Sequence, residues 1–261
     1  GASPGPRIVS DGESPLETVA SVGDEALLLA HELPGCPIVV GRDKVAAGRL
    51  LEERFGRRIV LVDSGFQHRR LFRDLDIVCV TEADLGARVM PAGMLRESVR
   101  ALRAAHMIFT DRATDGRRVA QLKARRPNDV FSLARADFGF FPLEGSGVEV
   151  DAPARAFVFS GIGAPERFVK DVAARGVEVA GQRSFRDHHV FTEGELKDLA
   201  DAAGKAGAQA VVTTAKDAVR IGAWPGAVPL LVLAARLDIE RLPAVLKRID
   251  SVILARIKAG L

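Results

Sequence analysis

The sequence contains few cysteines and no hydrophobic run that could cross a membrane. Two cysteines among 261 residues cannot build a disulfide scaffold. The longest apolar candidate, Val228–Ala235, is far shorter than the ~18 residues that a membrane-spanning helix needs, and we interpret it as a buried strand. Cys36 and Cys79 lie in or beside apolar segments, so we expect both to be reduced residues of the core.

Two signatures of catalytic sites are also absent from the sequence. It contains neither the phosphate-binding loop Gly-x-x-x-x-Gly-Lys-Ser/Thr nor a Cys-x-x-Cys pair. The numbering starts at Gly1 without a methionine. We therefore expect the chain to be a fragment, and a phosphate loop or a membrane anchor could precede it.

The composition is that of an ordinary globular protein. Apolar residues make up 48% and charged residues 27% of the chain, which excludes a disordered protein that cannot bury enough apolar surface. The net charge is +3 and the isoelectric point is about 9.1. This balance favours an anionic partner, such as a phosphate or an acidic membrane face, without requiring one.

Apolar runs of strand length alternate with helical segments, which favours an α/β fold with a parallel sheet covered on both faces. The predicted strands are Pro37–Val40, Arg58–Val62, Asp76–Thr81, His106–Thr110, Ala156–Ser160, Val177–Ala180, Ala210–Thr213 and Val228–Leu233. The predicted helices are Val19–Leu33, Val45–Phe55, Pro165–Arg175, Thr192–Ala206 and Leu242–Lys258. Alternation over Val130–Phe141 indicates extended strands. We predict a first lobe over residues 1–127, a connecting ribbon over 128–153 and a C-terminal α/β lobe over 154–261.

An aspartate follows the predicted strand Arg58–Val62, in the sequence Asp63-Ser-Gly-Phe-Gln-His68. Ligands of open parallel sheets bind at the carboxyl ends of the strands. A carboxylate there can reach a metal or a phosphate-bound water, as the Walker-B aspartate does. The alternative is an aspartate that caps the following turn. Gly65, Gln67 and His68 favour a site, because glycine permits a tight turn and the other two display polar groups.

Two charged pairs, the first of them within the segment Val19–Leu33, stand at positions that could be the first turn of a helix. Asp24 and Glu25 could supply a general base and a metal or substrate contact, or they could only stabilise the helix dipole. Arg96 could bind a phosphate in bidentate fashion, and Glu97 could bind a cation through water. The alternative for this second pair is a solvated ion pair.

The second half of the chain carries a loop with Asp187, His188 and His189. This combination suggests either a metal site or a histidine oriented by a carboxylate, and the alternative is a structural histidine. Thr213–Asp217 could hold an anion through its hydroxyls and its lysine, or it could simply begin a helix. The Ser160–Pro165 segment is similar to a phosphate loop, but a tight strand-to-helix turn is favoured.

In this order the motifs resemble those of the tetraacyldisaccharide 4'-kinase family, the lipid A 4'-kinases. The matching segments are Val22–Ala30, Asp63–His68, Pro91–Glu97, Phe159–Pro165, Phe185–His189 and Thr213–Asp217. The resemblance extends from about Val9 to about Arg236. No single motif is specific, but six in this order are hard to obtain otherwise.

The resemblance implies a fold, a reaction and a location. It implies a P-loop NTPase-like lobe and a smaller α/β/α lobe joined by a two-stranded ribbon. The reaction would be the Mg²⁺-dependent transfer of the γ-phosphoryl group of ATP to the 4'-hydroxyl of tetraacyldisaccharide 1-phosphate, a glycolipid. The protein would lie on the cytoplasmic face of the bacterial inner membrane, as a monomer that binds no nucleic acid.

The resemblance also implies roles for individual residues. Asp24 would take the proton of the sugar hydroxyl, and His188 would orient or tune Asp24 from the second lobe. At the Mg²⁺–phosphate end of ATP, the residues that contact the cofactor would be Glu25, Gln67, His68 and Arg96. The residues that bind the metal would be Asp63 and Glu97. Such a site supplies alignment and charge compensation, which phosphoryl transfer requires.

The sequence departs from the family pattern in three ways. The phosphate loop is absent, so we expect the chain to be inactive by itself, and without an anchor we expect it to be soluble. Ser64 stands where the family usually has a second aspartate, and Ala215 replaces a glutamate. Ser64 can still contact Mg²⁺ or its water, but it lacks the charge.

Two other functions remain open at this point. A metal-dependent phosphoesterase could use Asp187, His188 and His189 as ligands, with Asp63 and Asp111 as further candidates, although their spacing fits this poorly. A non-catalytic nucleotide-fold protein could bind a lipid or a partner without the phosphate loop. A glycine-rich Lys-Thr loop upstream of Gly1 would support the kinase instead.

Overall fold

A computed structural model describes residues 5–56, 59–143 and 148–259. The chain divides into two compact units, and each unit is assembled from two separate segments. The first unit consists of residues 1–56 and 137–235, and the second consists of residues 57–136 and 236–261.

Strands and helices alternate along most of the described chain. The strands are β1 (Arg7–Ser10), β2 (Ile38–Val40), β3 (Ile77–Val80), β4 (Met107–Asp111), β5 (Val130–Pro142), β6 (Arg155–Ser160), β7 (Glu178–Ser184), β8 (Ala210–Thr214) and β9 (Leu230–Ile239). The α-helices are α1 (Val19–Val22), α2 (Asp24–Glu32), α3 (Lys44–Phe55), α4 (Glu82–Gly86), α5 (Arg117–Arg125), α6 (Pro165–Ala173), α7 (Glu193–Lys205), α8 (Ala215–Ala218) and α9 (Leu242–Lys258). Short 3₁₀ helices cover Val99–Ala104 and Arg112–Thr114. Within the described ranges, no helix combines the length and the apolar composition that a membrane crossing requires.

In the first unit, parallel strands lie in the order β9, β8, β6, β7. Side chains alternate along β6, so that Ala156 and Val158 point to one face and Phe157 and Phe159 to the other. Helix α6 covers the first face and helix α7 covers the second. A sheet that is covered on both faces needs strands that are apolar throughout, which explains the sequence of β6.

Phe159 anchors the aromatic part of this core. It is 1% exposed, and its ring contacts those of Phe185, Phe191 and Trp224. Truncation of such a buried aromatic side chain to alanine costs about 3–5 kcal/mol. The cluster matters for function because Phe185 and Phe191 bracket the loop that carries His188.

The N-terminal part of the first unit pairs β1 with β2 in an antiparallel manner. Gly23, with a φ angle of +88°, separates α1 from α2. Residues with a side chain rarely adopt this backbone conformation. A glycine at this position therefore allows the chain to turn between the two helices, so that α2 begins at Asp24. Helix α2 buries Leu27 and Ala30 on its inner face.

In the second unit, β3, β4 and β5 are parallel neighbours in that order. Ile108 and Val130 lie in the core on one face of these strands. Met107 and Phe131 lie on the other face, where Val245 of α9 packs against them. The C-terminal helix is thus part of the core of this unit.

The structure confirms the predicted α/β class and most predicted elements. Helix α9 has the bounds predicted from the sequence, Leu242–Lys258, and β3, β4, β6 and β8 lie within one residue of the predicted strand bounds at most ends. Their apolar runs and flanking polar residues are strong local signals. The ends of β7 and β9 extend further than predicted, to Ser184 and Ile239.

Three predictions of local structure were wrong. The helix predicted over Val19–Leu33 is two helices, because Gly23 interrupts it. The strand at Ile38–Val40 belongs to an antiparallel pair, not to the parallel sheet. Of the strand predicted over Arg58–Val62, the described residues 59–62 form no strand, and Leu61 is 91% exposed. No neighbouring strand pairs with this run in the described part of the chain, so its apolar side chains are not buried there.

The cysteine prediction was partly wrong. Cys36 and Cys79 are free thiols, as expected, but both are exposed. Cys79 alternates with the partly buried Val78 and Val80, which pack on the core of the second unit, so it lies on the opposite face of β3. Cys79 is exposed because successive side chains of β3 point to opposite faces of the sheet.

The predicted lobes and the compact units are organised differently. The lobes predicted over residues 1–127 and 154–261 follow the chain in order, whereas each compact unit combines two segments. In the region predicted as a ribbon, β5 is a strand and Phe140 forms an antiparallel bridge to Val150. Residues 144–147 of that region lie outside the described residues. The division into lobes stays a prediction about domain organisation.

Candidate active site

Asp24 is a buried carboxylate at the first position of a helix. Its side chain is only 6% exposed, and its Oδ1 accepts a hydrogen bond of 2.9 Å from the backbone N–H of Glu25. The positive end of the dipole of α2 favours a negative charge at this position. The fold therefore holds a carboxylate where water has little access to it.

The loop between β7 and α7 brings His188 to this carboxylate. Nδ1 of His188 lies 2.9 Å from Oδ2 of Asp24. An ionised carboxylate can only accept hydrogen bonds, so in this pair Nδ1 carries the proton. The imidazole is 56% exposed, and the pair thus connects a buried acid to the surface of the first unit.

His188 has an unusual backbone conformation, with a φ angle of +60°. Its N–H donates to Oδ1 of Asp187 at 3.0 Å and lies 3.3 Å from the carbonyl oxygen of Gly161. A left-handed conformation of a non-glycine residue costs about 1–3 kcal/mol and persists only where the surroundings hold it. Local hydrogen bonds therefore fix the direction of this imidazole.

A buried arginine lies on the other side of Asp24. Arg220 follows α8, its side chain is 1% exposed, and its Nε is 3.6 Å from Oδ2 of Asp24. Its Nη2 donates a hydrogen bond of 2.6 Å to Oδ1 of Asp217. Two carboxylates thus share one guanidinium, since a buried charge needs a partner.

Asp217 is the most buried member of the network that also contains Asp24, His188 and Arg220. Its side chain is fully buried, and its carboxylate accepts hydrogen bonds from the hydroxyl of Thr214 and from the backbone N–H of Gly161. Burial raises the pKa of Asp217 above its ordinary value, while the bonds from Thr214, Arg220 and Gly161 oppose that effect. The carboxylate therefore ties the end of β8 to the turn after β6.

Lys216 lies on the exposed side of the same cluster. Its Nζ is 3.4 Å from Oδ1 of Asp187, 3.4 Å from Nε2 of His188 and 3.7 Å from Oε1 of Glu25. Burial acts to raise the pKa of Asp187, but the charge and hydrogen bond of Lys216, together with the charge and backbone N–H of His188, outweigh it, so this pKa is below its ordinary value. The side chain of Lys216 is 22% exposed, which leaves the ammonium accessible to an anion.

The two adjacent histidines have different environments. Nε2 of His189 lies 3.0 Å from Oε1 of Glu195, and its ring stacks on that of Phe185 at 4.7 Å. His188 faces Asp24 instead. The two imidazoles therefore bind different carboxylates, and they do not converge as the ligands of one metal, which the phosphoesterase hypothesis requires.

The other predicted site residues belong to the second unit. Asp63, Gln67, His68, Arg96 and Glu97 are all exposed there. The hydroxyl of Ser64 donates to Oδ1 of Asp63 at 3.3 Å. Across residues 5–56, 59–143 and 148–259, no group of three or more His, Cys, Asp or Glu side chains is arranged to hold a metal by itself.

The second unit also contains a pocket of about 220 Å³ at the carboxyl ends of β3 and β4, next to residues 133–135 within β5. Open parallel sheets bind ligands at this edge. The polar side chains that line the pocket are Thr81, Asp84, Thr110, Asp111 and Arg135. Asp111, a candidate ligand of the phosphoesterase alternative, lines it, whereas none of the residues predicted for the kinase site does.

The structure thus brings together Asp24, Glu25 and His188 of the predicted set, and it adds Arg220. The motif Thr213–Asp217 was recognised in the sequence, but Arg220 was not. The signal that could have revealed it is the i, i+3 spacing from Asp217, which places an acid and a base on the same side of a helical turn.

Comparisons with known proteins agree on one family. The family model described as tetraacyldisaccharide-1-P 4'-kinase matches residues 1–254. A tetraacyldisaccharide 4'-kinase of Anaeromyxobacter sp. strain Fw109-5 is 37% identical over 251 residues, which cover 90% of this chain and 66% of the relative. One of Geobacter metallireducens is 37% identical over 219 residues, covering 83% of this chain and 64% of the relative. The chain spans about two thirds of the length of these curated relatives.

A solved structure is also similar to this chain. It is the "apo" form of LpxK from Aquifex aeolicus in complex with ATP, with a TM-score of 0.75 and 27% sequence identity. The match covers 96% of this chain and 75% of that chain. The similarity in structure extends over nearly the whole chain and accompanies the similarity in sequence.

Proposed function

Because the chain belongs to the tetraacyldisaccharide-1-P 4'-kinase family, we propose that the full-length protein phosphorylates the 4'-hydroxyl of tetraacyldisaccharide 1-phosphate with ATP, as a step of lipid A biosynthesis. The observation that carries this proposal is the 2.9 Å contact between His188 and the buried carboxylate of Asp24. A carboxylate held by a histidine is suited to take a proton from an alcohol.

In the proposed reaction, Asp24 is the general base. The O–H bond of the 4'-hydroxyl breaks and its proton goes to the carboxylate. The sugar oxygen forms a bond to the γ-phosphorus as the bond to the leaving oxygen breaks, and ADP leaves with that electron pair. Oδ2 of Asp24 already faces His188 and Arg220, so Oδ1, which has one backbone donor, keeps a lone pair for the alcohol proton.

His188 and Lys216 have supporting roles in this proposal. His188 orients Asp24 through Nδ1 and stabilises its negative charge before the reaction. Lys216, whose partly exposed side chain lies next to His188 and Glu25, is suited to bind an anionic group of a substrate, such as a phosphate.

The residues of the second unit would serve the nucleotide and its metal. Asp63 and Glu97 supply the hard oxygen ligands that Mg²⁺ prefers, and this ion binds proteins through one or two carboxylates together with waters and substrate phosphates. A cluster of three protein ligands is therefore not required. When bound, Mg²⁺ would compensate the charge of the phosphates, and Gln67, His68 and Arg96 would contact the same end of ATP.

We further propose that the protein works as a peripheral monomer at the cytoplasmic face of the bacterial inner membrane. The glycolipid acceptor carries acyl chains that belong in a bilayer, and the net charge of +3 favours an anionic membrane surface. A reaction that uses ATP as the phosphoryl donor supports a cytoplasmic location.

The test of this function is an assay of the full-length protein with ATP and tetraacyldisaccharide 1-phosphate. We expect 4'-phosphorylation, and we expect Asp24→Asn to lower kcat by about 10²–10⁴-fold while KM for ATP changes little. Glu32→Gln, at the other end of α2, is the matched control and should retain the activity. Turnover of Asp24→Asn near that of the unchanged protein would remove the assignment of the base, and failure of the unchanged protein to phosphorylate the acceptor would remove the function.

A further inference from the structure

We propose that Arg220 is a positioning residue for the Asp24–His188 pair, an inference that rests on the function proposed above. The guanidinium is almost completely buried, at 1% exposure, and it contacts both the proposed base and the backbone around the histidine. It reaches the reacting alcohol only through Asp24, so its contribution is to hold the pair in one geometry.

The first part of the argument concerns charge. Arg220 lies 3.6 Å from the carboxylate of Asp24 and 2.6 Å from that of Asp217. The side chains of these aspartates are 6% and 0% exposed, so water compensates neither charge. A buried carboxylate without a partner is strongly unfavourable, and Arg220 is a partner of both.

The second part concerns the backbone of the histidine loop. Nη1 of Arg220 donates to the carbonyl oxygen of His189 at 2.9 Å, and Nη2 donates to that of Gly161 at 3.2 Å. The carbonyl of Gly161 also faces the N–H of His188. Arg220 therefore binds the peptide that follows His189 and the turn that contacts the N–H of His188, which helps to hold the φ angle of His188 at +60°.

The third part concerns the choice of residue. The contacts of Arg220 use Nε, Nη1 and Nη2, and Nε also donates to the carbonyl oxygen of Lys216. Only the planar guanidinium presents several donors in a fixed fork, whereas a lysine supplies one compact charge. Asp24, Asp187 and Lys216 contact His188, and Glu25 contacts Lys216. The cation in this set, Lys216, lies on the exposed side of the cluster.

A spectroscopic experiment tests this role without any substrate. The chain contains five histidines, and ¹⁵N-labelled histidine with long-range ¹H–¹⁵N spectra reports which ring nitrogen carries the proton. We expect neutral His188, assigned with His188→Ala, to carry the proton on Nδ1. In Arg220→Gln we expect loss of this preference, as in the reference variant Asp24→Asn. Arg49→Gln, an exposed arginine of α3, should leave the His188 signals unchanged.

A kinetic experiment on the full-length protein measures the consequence for turnover. A small displacement of catalytic groups can lower the rate by about 10²-fold. We expect Arg220→Gln to lower kcat by about this factor with KM for ATP little changed. The kcat of Arg220→Lys should lie between those of Arg220→Gln and the unchanged protein, because lysine keeps the charge but lacks the forked set of donors. Arg49→Gln should retain kcat.

Loss of the Nδ1 proton together with the fall in kcat supports the proposal. A folded Arg220→Gln variant that keeps the proton on Nδ1 overturns it, whether or not kcat changes. If Arg220→Gln does not fold, the same two measurements, the protonated ring nitrogen of His188 and kcat, are made on the charge-balanced variant Asp217→Asn/Arg220→Gln. The spectra need neither ATP nor acceptor, so the positioning role and the proposed reaction can fail separately.

Discussion

Nδ1 of His188 lies 2.9 Å from Oδ2 of Asp24, although 164 positions separate these residues in the sequence. Asp24 is fixed by the start of α2, and His188 is fixed by a loop whose hydrogen bonds hold a left-handed backbone conformation. A buried acid and a half-exposed imidazole thus form one unit. The environment of each member leads to different expectations for substitution.

The adjacent histidines should give different phenotypes. We expect His188→Ala to lower kcat of the full-length protein strongly and to change stability little, because its ring is 56% exposed. His189→Ala should instead lower stability, by about 1–3 kcal/mol, because it removes the contact with Glu195 and the stacking on Phe185. Kinetic assays and urea unfolding of both variants would measure the difference. A reversed ranking in kcat would show that the wrong imidazole was chosen.

Gly161→Ala should destabilise the first unit. A Cβ atom at Gly161 would lie 3.1 Å from Oδ1 of Asp217 and 3.3 Å from Cβ of His189, so the buried network would have to move. Such overpacking costs about 1–3 kcal/mol, and the displaced loop should also lower kcat. Gly163→Ala is the matched control, since its nearest atom would be Oδ2 of Asp187 at 3.8 Å. Equal urea midpoints for the two variants would contradict the expectation.

Stability at acidic pH should depend on Asp129. Burial acts to raise the pKa of this carboxyl, but hydrogen bonds from Arg248 of α9 and from Arg126 outweigh it, so its pKa is lowered in the folded protein. A carboxyl with a lowered pKa contributes stability that is present above its unfolded pKa of ~3.9 and is lost as the pH falls through the folded value.

Asp129→Asn should therefore be less stable than the unchanged chain at pH 7, and the difference should shrink below about pH 4. Urea unfolding at a series of pH values measures it. Asp250→Asn, an exposed residue of α9, should show no such dependence. A constant difference between Asp129→Asn and the unchanged chain from pH 7 to pH 3 would exclude this linkage.

Ser64→Asp should increase the affinity of the full-length protein for Mg²⁺. Ser64 follows the proposed ligand Asp63 and has a φ angle of +53°, a conformation that aspartate adopts more readily than most residues. A second carboxylate would add charge and an oxygen ligand for the ion. The Mg²⁺ concentration for half-maximal activity should fall in Ser64→Asp and should not fall in Ser64→Ala. An unchanged or higher value in Ser64→Asp would count against this placement of the metal.

Local sequence patterns predicted much of the fold. The apolar runs of β6 and β8 and the amphipathic helix Leu242–Lys258 were found because their signals lie within one element. The motifs that contain Asp24 and His188 were recognised from their own residues, and the roles of these two residues were assigned through the order of the family's motifs. Their proximity was implied by that resemblance and not by any local pattern.

Other features depended on partners that a local pattern does not identify. The apolar run Ile59–Leu61 is exposed in the structure, and Ile38–Val40 pairs with β1 in an antiparallel manner. Both runs have strand composition. Whether such a run is buried, and in which direction it pairs, depends on which neighbour the chain places beside it.

The sequence by itself determined the α/β class, the order of the elements and the family, because apolar periodicity and motif order are properties of the chain. Only the tertiary structure decided that Arg220 lies between Asp24 and Asp217 and binds the backbone around His188. These groups come from α2, from α8 and the second residue after it, and from a loop after β7. Their electrostatic coupling depends on distance and burial, which arise only when the chain folds.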